Sequence, residues 1–267
     1  MTALASAPLV HNDAPISIDE ALSFVTGGGV ALFLDVDGTL LDLAPTPDAV
    51  SVPAELVAAL AAAETRLSGA LALVSGRRVE DIDRLFEPLR LSASGVHGAQ
   101  VRLRPDAAVE TVPAAVQLPS SLESAVRRAI CHFSGLLVEN KGFSLAVHYR
   151  RNPQAAEWLQ ETLQELVLAT PAWGVELLEA HFAFELKLPS FNKGKSIAHF
   201  LQAAPFRGRP PMFIGDDTTD EAGFAEVTAR GGRAYSIGGR RPGAIGYFES
   251  PRTVRAWLKA FSMDARK

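Results

Sequence analysis

The 267-residue chain has a single cysteine, Cys131. An internal disulfide is therefore excluded, and because Cys131 sits in a helix-like run it is expected to be a core residue in a reducing cytosol. Excess positive charge is also missing: 26 basic residues against 30 acidic ones leave a net charge of −4. Without a basic stripe to neutralise phosphates, the composition argues against a nucleic-acid partner. Residues 1–28 contain no basic segment leading into an apolar stretch, and no later apolar run is long enough for a bilayer. A cytoplasmic protein with no membrane partner is expected. Internal repeats and low-complexity tracts are absent as well. What the chain does have is 48% hydrophobic content, enough for a sizeable core in one large domain or two smaller ones.

Short apolar runs at Val30–Leu34, Ala70–Val74 and Met212–Ile214, with a weaker one at Ala234–Ile237, alternate with helical patterns. Unbroken apolar runs of this length suit strands buried on both faces, so the fold class is α/β with a parallel sheet. Ala54–Leu67 repeats apolar residues at helical spacing, Asn192 is placed to cap a helix through Leu201, and Ser250-Pro251 opens a last helix. The middle of the chain differs in texture and predicts an inserted α+β layer over residues 103–185, between core segments 1–102 and 186–267. There Ser120 and Glu123 form a capping-box pattern, and Asn152-Pro153 opens a helix through Leu166. In FSLAVHYR, Phe143, Leu145, Val147 and Tyr149 share one face and His148 and Arg150 the other. In AFELKL, Phe184, Leu186 and Leu188 oppose Glu185 and Lys187.

Three of the apolar strands end in polar groups. VALFLDVDGTLL runs into Asp35 and Asp37, LALVSGRR into Ser75, and MFIGDDTTDE into Asp216 and Asp217. The carboxyl ends of parallel strands are where open α/β sheets form their ligand crevice. Asp37-Gly38 alone reads as a turn, but a turn does not account for Asp35. The combination suits phosphoryl transfer, with Asp35 as a nucleophile that forms an aspartyl-phosphate. An anion attacking a phosphate needs a hard cation, so Mg²⁺ is expected, with Asp35 and Asp216 as side-chain ligands. Asp37 is then left to act as general acid and base, Ser75 to donate to a phosphate oxygen and Lys193 to supply positive charge. GKS at 194–196 imitates the end of a P-loop, but that pattern requires glycine where Pro189 stands.

The set DVDGT, VSGR, NKGK and GDDTTDE, in this order, resembles the haloacid dehalogenase superfamily of phosphohydrolases. Spacings of 40, 118 and 23 residues between Asp35, Ser75, Lys193 and Asp216 leave room for a cap between the second and third motifs. SGRRVEDI, GVHGA, KGFSLAVHYR and FELKLPSFNKGK carry the resemblance further, to the trehalose-6-phosphate phosphatase family. That resemblance implies Mg²⁺-dependent hydrolysis of a sugar phosphate by a doubly wound core under a sugar-recognising cap. By motif, Asp35, Asp37, Ser75 and Lys193 are the expected catalytic groups. The metal is expected on Asp35, the Asp37 backbone carbonyl, Asp216 and Asp217, with Asp220 in the same acidic loop. His148, Arg150, Glu185 and Lys187 are the expected sugar-binding groups of the cap, joined by Lys141 if Gly142 breaks the strand. Arg77, His97 and Gly98 belong to core loops expected near the substrate, with Gly98 a candidate for positive φ. No synthase-like domain precedes the motifs, so a stand-alone, monomeric enzyme is expected. Other cap-bearing sugar phosphatases and phosphomutases are the rival readings, followed by a non-catalytic sensor.

Overall fold

Runs of apolar residues too short for helices and unbroken by polar ones become the centre of a sheet, because only a strand covered on both faces hides every residue. The computed structural model describes residues 14–26, 29–44, 49–180 and 182–263. Residues 1–13, part of the segment read above for a leader, lie outside them. The first core segment contains α1 (Ile18–Val25), β1 (Ala31–Leu34), α2 (Ala54–Arg66), β2 (Leu71–Val74), α3 (Val79–Leu85), β3 (Ser92–Gly95), β4 (Gln100–Arg102) and β5 (Glu110–Thr111). The insert contains α4 (Ser120–Ile130), β6 (Leu137–Asn140), β7 (Ser144–His148), α5 (Ala156–Ala169), β8 (Glu176–Ala180) and β9 (Ala183–Lys187). The chain then returns through α6 (Lys193–Phe200), β10 (Pro211–Ile214), α7 (Glu221–Ala229), β11 (Arg233–Ile237), β12 (Gly246–Phe248) and α8 (Pro251–Met263).

The large sheet has the order β12-β11-β10-β1-β2-β3-β4-β5. β1 pairs in parallel with β10 and with β2, so that Leu34 lies beside both Ile214 and Leu73. This register brings the ends of the three strands level, and the residues that follow them converge on one edge. All residues of β1, β2 and β10 are buried, with α1, α2 and α8 packed together and α6 against α7. Each large apolar side chain buried here contributes about 1.5–3 kcal/mol.

The insert builds its own four-stranded sheet, β6-β7-β9-β8. Leu145 and Val147 of β7 and Phe184 and Leu186 of β9 pack with Leu122 and Val126 of α4 and Leu159 and Leu163 of α5. The expected strand parity is therefore observed, and the other face of this sheet is turned toward the core. Among the described residues no helix is long and apolar enough to cross a membrane.

Several local expectations are corrected. The antiparallel ladders β3–β4 and β4–β5 keep the chain in the large sheet as far as Thr111, beyond the boundary expected after residue 102. At the other end β9 holds the small sheet to Lys187, beyond 185. The Ser120–Glu123 capping box does not form. Pro119 is the N-cap of α4 without a side-chain bond, and the Glu123 carboxylate accepts instead from Arg127 and Asn140. Cys131 ends α4 exposed to solvent rather than in the core. α5 begins at Ala156, after a 3-10 turn over Pro153–Ala155. Asn192 does cap α6, accepting from the Lys195 amide at 2.9 Å.

Candidate active site

β1 ends at Leu34 and leaves Asp35 at the sheet edge with its carboxylate buried. Lys193, the first residue of α6, donates from Nζ to Asp35 Oδ1 at 2.8 Å and to Asp220 Oδ1 at 2.6 Å. Among the described residues Asp35, Asp216 and Asp220 each offer an oxygen within 4.8 Å of the others. The backbone makes room for this crowding. A Cβ at Gly38, whose φ is +79°, would lie 2.1 Å from Asp216 Oδ2, and one at Gly215 would lie 2.3 Å from Asp220 Cγ. Asp220 is fixed further by the amides of Asp216 and Asp217, which donate to its Oδ2 at 2.9 and 3.1 Å.

Burial raises the Asp35 carboxyl above its ordinary range, and Asp217 and Asp37 add to this against the opposing Lys193. Burial with the charges of Asp35 and Asp220 pushes Asp216 up to about 10. Burial alone would lower Lys193, but Asp220 and Asp35 outweigh it and hold the ammonium well above its usual range. One lysine against this many acids leaves uncompensated negative charge among hard oxygen donors. That donor set fits Mg²⁺, which Asp35, Asp216 and Asp220 could hold. Asp217, expected as a ligand, directs its Oδ1 to the amide and hydroxyl of Thr219 at 2.9 and 2.6 Å. Asp220 takes its place in the cluster, because the 3-10 turn Thr218–Asp220 folds the third acid of the loop back over the first.

Ser75, buried beyond β2, accepts from the Arg77 amide at 3.1 Å. Arg77 in turn grips Asp37 through two bonds of 2.6 and 2.7 Å. Asp35, Asp37, Ser75, Arg77, Lys193, Asp216 and Asp217 all line one cavity of about 640 Å³, a size suited to a small molecule. His97, Lys141, His148, Arg150 and Glu185 line it too.

The insert closes this cavity from the opposite side. Glu185 Oε2 lies 2.7 Å from His97 Nε2, and Oε1 accepts from Lys141 Nζ at 3.2 Å. Burial opposes the Glu185 charge, yet His97 and Lys141 hold the carboxyl well below its usual range. Lys141 is raised, since Glu185 and Glu139 outweigh its burial. Gly142, at φ +84°, supplies the strand break that turns Lys141 inward. His148 Nε2 lies 2.8 Å from Glu139 Oε2. Arg150 donates to the Ala44 carbonyl and stacks over Phe182, 4.9 Å from its centroid.

Two expected substrate residues are not brought to the cavity. Lys187 is buried, its Nζ donating to Glu176 at 2.8 Å and to the carbonyls of Leu188 and Phe191 at 3.0 and 2.7 Å. Gly98 has φ +111° and sits where a Cβ would meet the Asn192 carbonyl at 2.8 Å, so it serves close packing against the start of α6. Sequence reasoning passed over Glu139 and Asn140, which line the cavity from the end of β6. The signal for Glu139 is its cross-strand place opposite Ala146 on the polar face.

A trehalose-phosphatase family model matches residues 33–238. A probable trehalose-phosphate phosphatase of Sinorhizobium fredii is 39% identical over 236 residues, covering 87% of this chain and 88% of that protein. The trehalose-6-phosphate phosphatase of Escherichia coli is 36% identical over 230 residues, covering 86% of this chain and 85% of its own. Among solved structures, the C-terminal domain of the C. albicans trehalose-6-phosphate phosphatase superposes with a TM-score of 0.83 at 17% identity, over 95% of this chain and 99% of that one. Likeness to structures of the haloacid dehalogenase superfamily bears out the expected fold class. The aligned strand ends, the acidic cluster and the family match across both core segments agree: this chain belongs to the trehalose-phosphatase family.

Proposed function

We propose that this protein hydrolyses trehalose 6-phosphate to trehalose and phosphate, with Asp35 as nucleophile. The carrying observation is the placement of the buried Asp35 carboxylate beside Lys193, Asp216 and Asp220, at the floor of a cavity roofed by polar groups of the insert. The names of the two relatives support the substrate.

In the first half-reaction an Asp35 oxygen forms a bond to phosphorus as the bond from phosphorus to sugar O6 breaks. Asp37 delivers a proton to the leaving oxygen. Arg77 occupies both Asp37 oxygens, so that delivery requires one of them to be released. In the second half-reaction Asp37 takes a proton from water, whose oxygen bonds to phosphorus while the bond to Asp35 breaks. Lys193 and the Ser75 hydroxyl hold the phosphoryl oxygens throughout. A Mg²⁺ held by Asp35, Asp216 and Asp220 would supply charge neutralisation for the phosphate. In the insert, Lys141, Glu185 and the Glu139–His148 pair offer hydrogen bonds to sugar hydroxyls.

The test is phosphate release across a panel of sugar phosphates, with Mg²⁺ and with chelator. Trehalose 6-phosphate is expected to have the highest kcat/KM, and chelator to stop turnover. Preference for sucrose phosphate or a monosaccharide phosphate would overturn the substrate while leaving the chemistry. Dependence on a bisphosphate activator would point to a mutase, and activity indifferent to chelator would reject the metal.

A further inference from the structure

His97 sits in an unusual piece of backbone. Val96 and His97 both have left-handed φ, 48° and 54°, and Gly98 follows at 111°. Two consecutive non-glycine residues in that region cost about 1–3 kcal/mol each, a strain that persists only where surrounding contacts impose it. Here the contacts come from the loop after β2. The Val96 amide donates to the Arg77 carbonyl at 2.8 Å and the His97 amide to the Ser75 carbonyl at 3.0 Å. The imidazole lies directly over Gly76, where an added Cβ would come 2.7 Å from Cε1 and Nε2. The phosphate-facing loop and the His97 loop are therefore knit into one unit, and Gly76 is the gap that admits the ring.

From that unit His97 reaches across to the insert. Arg78, Arg150 and Thr218 cross between the two layers by donating to backbone carbonyls, those of Asn140, Ala44 and Glu179. His97 instead meets a side chain, Glu185, at 2.7 Å, with both side chains buried at 6% and 4% exposure. Its other nitrogen, Nδ1, is buried and has no hydrogen-bond partner among the described residues, so fold stability alone does not account for a histidine here. Glu185 Oε1 holds Lys141, so the position of both sugar-facing groups depends on where His97 stands.

We propose that His97 is a positioning residue that ties the phosphate loop to the sugar-facing carboxylate of the insert, so that turnover depends on it only when the substrate carries a sugar to be gripped. His97 acts through Glu185 and touches no reacting atom. The inference rests on the phosphatase reading above.

The experiment compares trehalose 6-phosphate with 4-nitrophenyl phosphate, which offers a phosphoryl group but no hydroxyls for Glu185 or Lys141. His97→Asn tolerates the left-handed backbone but is too short to reach Glu185, whereas His97→Gln places a donor near the position of Nε2. In the asparagine variant kcat/KM for the sugar phosphate is expected to fall about 10- to 100-fold, the size of a lost bond to a charged group. Turnover of the aryl phosphate should stay within about twofold, which also certifies an intact core. The glutamine variant should recover most of the loss, and the double variant with Glu185→Gln should be no worse on the sugar phosphate than Glu185→Gln alone. Equal losses on both substrates, no loss on the sugar phosphate, or losses that add in the double variant would each overturn the proposal. Failure of the wild type to release phosphate from either substrate would instead defeat the functional reading itself.

Discussion

The two sides of the cavity handle charge in opposite ways. On the core side four acids, Asp35, Asp216, Asp217 and Asp220, lie around Lys193, and burial together with repulsion drives Asp216 to about 10. On the insert side each carboxylate has close side-chain partners: Glu185 meets Lys141 and, from the core loop, His97, and Glu139 meets His148. There His97 and Lys141 hold the Glu185 carboxyl low against its burial, and Glu185 and Glu139 hold the Lys141 ammonium high against its own. A set of acids left unbalanced by the fold requires a cation from outside, as catalysis on a phosphate does. A set already balanced can keep its geometry and offer hydrogen bonds to a neutral sugar. On the proposed function the core side serves the chemistry and the insert side recognition.

Changing the core side should have the largest effect. Asp35→Asn keeps the shape but not the nucleophile, and kcat is expected to fall at least about 1,000-fold with an unchanged circular-dichroism spectrum. Stability then separates the two sides by sign. Asp216 is raised from 3.8 to about 10, so the folded chain binds its proton more tightly than the unfolded one. Its contribution is complete below about 3.8 and is lost as pH rises toward 10. In chelator, Asp216→Asn should therefore flatten the decline in Tm across that window and gain about 3 °C at pH 8, although activity is lost. Glu185 has the opposite sign. Its folded carboxyl lies well below 4.5, so its contribution is present above that value and disappears as pH falls. Glu185→Gln removes the carboxylate paired directly with the buried Lys141 and should lower Tm at pH 7 by about 5–10 °C. A matching rise in both variants would erase the contrast. The smallest effect on catalysis is expected at Lys187. Lys187→Met should cost about 1–3 kcal/mol of stability through the unsatisfied carbonyls of Leu188 and Phe191, and leave KM within about twofold.

The sheet was legible because β1, β2 and β10 are apolar throughout, a pattern produced by burial on two faces. Asp35, Ser75 and Lys193 were legible for the same reason: each lies next to such a strand or to a capped helix whose end is readable. What depended on the path of the chain beyond an element was not. Lys187 shares parity with Glu185, but it is the last residue of β9, and the turn that follows offers two carbonyls that capture its ammonium. That Asp220, not Asp217, joins the cluster of Asp35 and Asp216 depends on a single 3-10 turn that spacing alone does not reveal. Ser120 and Glu123 have capping-box spacing, but the helix starts one residue earlier than that pattern needs, at Ser120 itself. Partners separated by 88 residues, His97 and Glu185, leave no local pattern at all.

The direct measurement of the central claim is acid quench of the enzyme during turnover of trehalose 6-phosphate, followed by mass spectrometry of the peptide containing residue 35. A phosphoryl group on Asp35, absent from Asp35→Asn, is the expected result. Turnover at full rate with that peptide never modified, or with the phosphoryl group on another residue, would contradict the account.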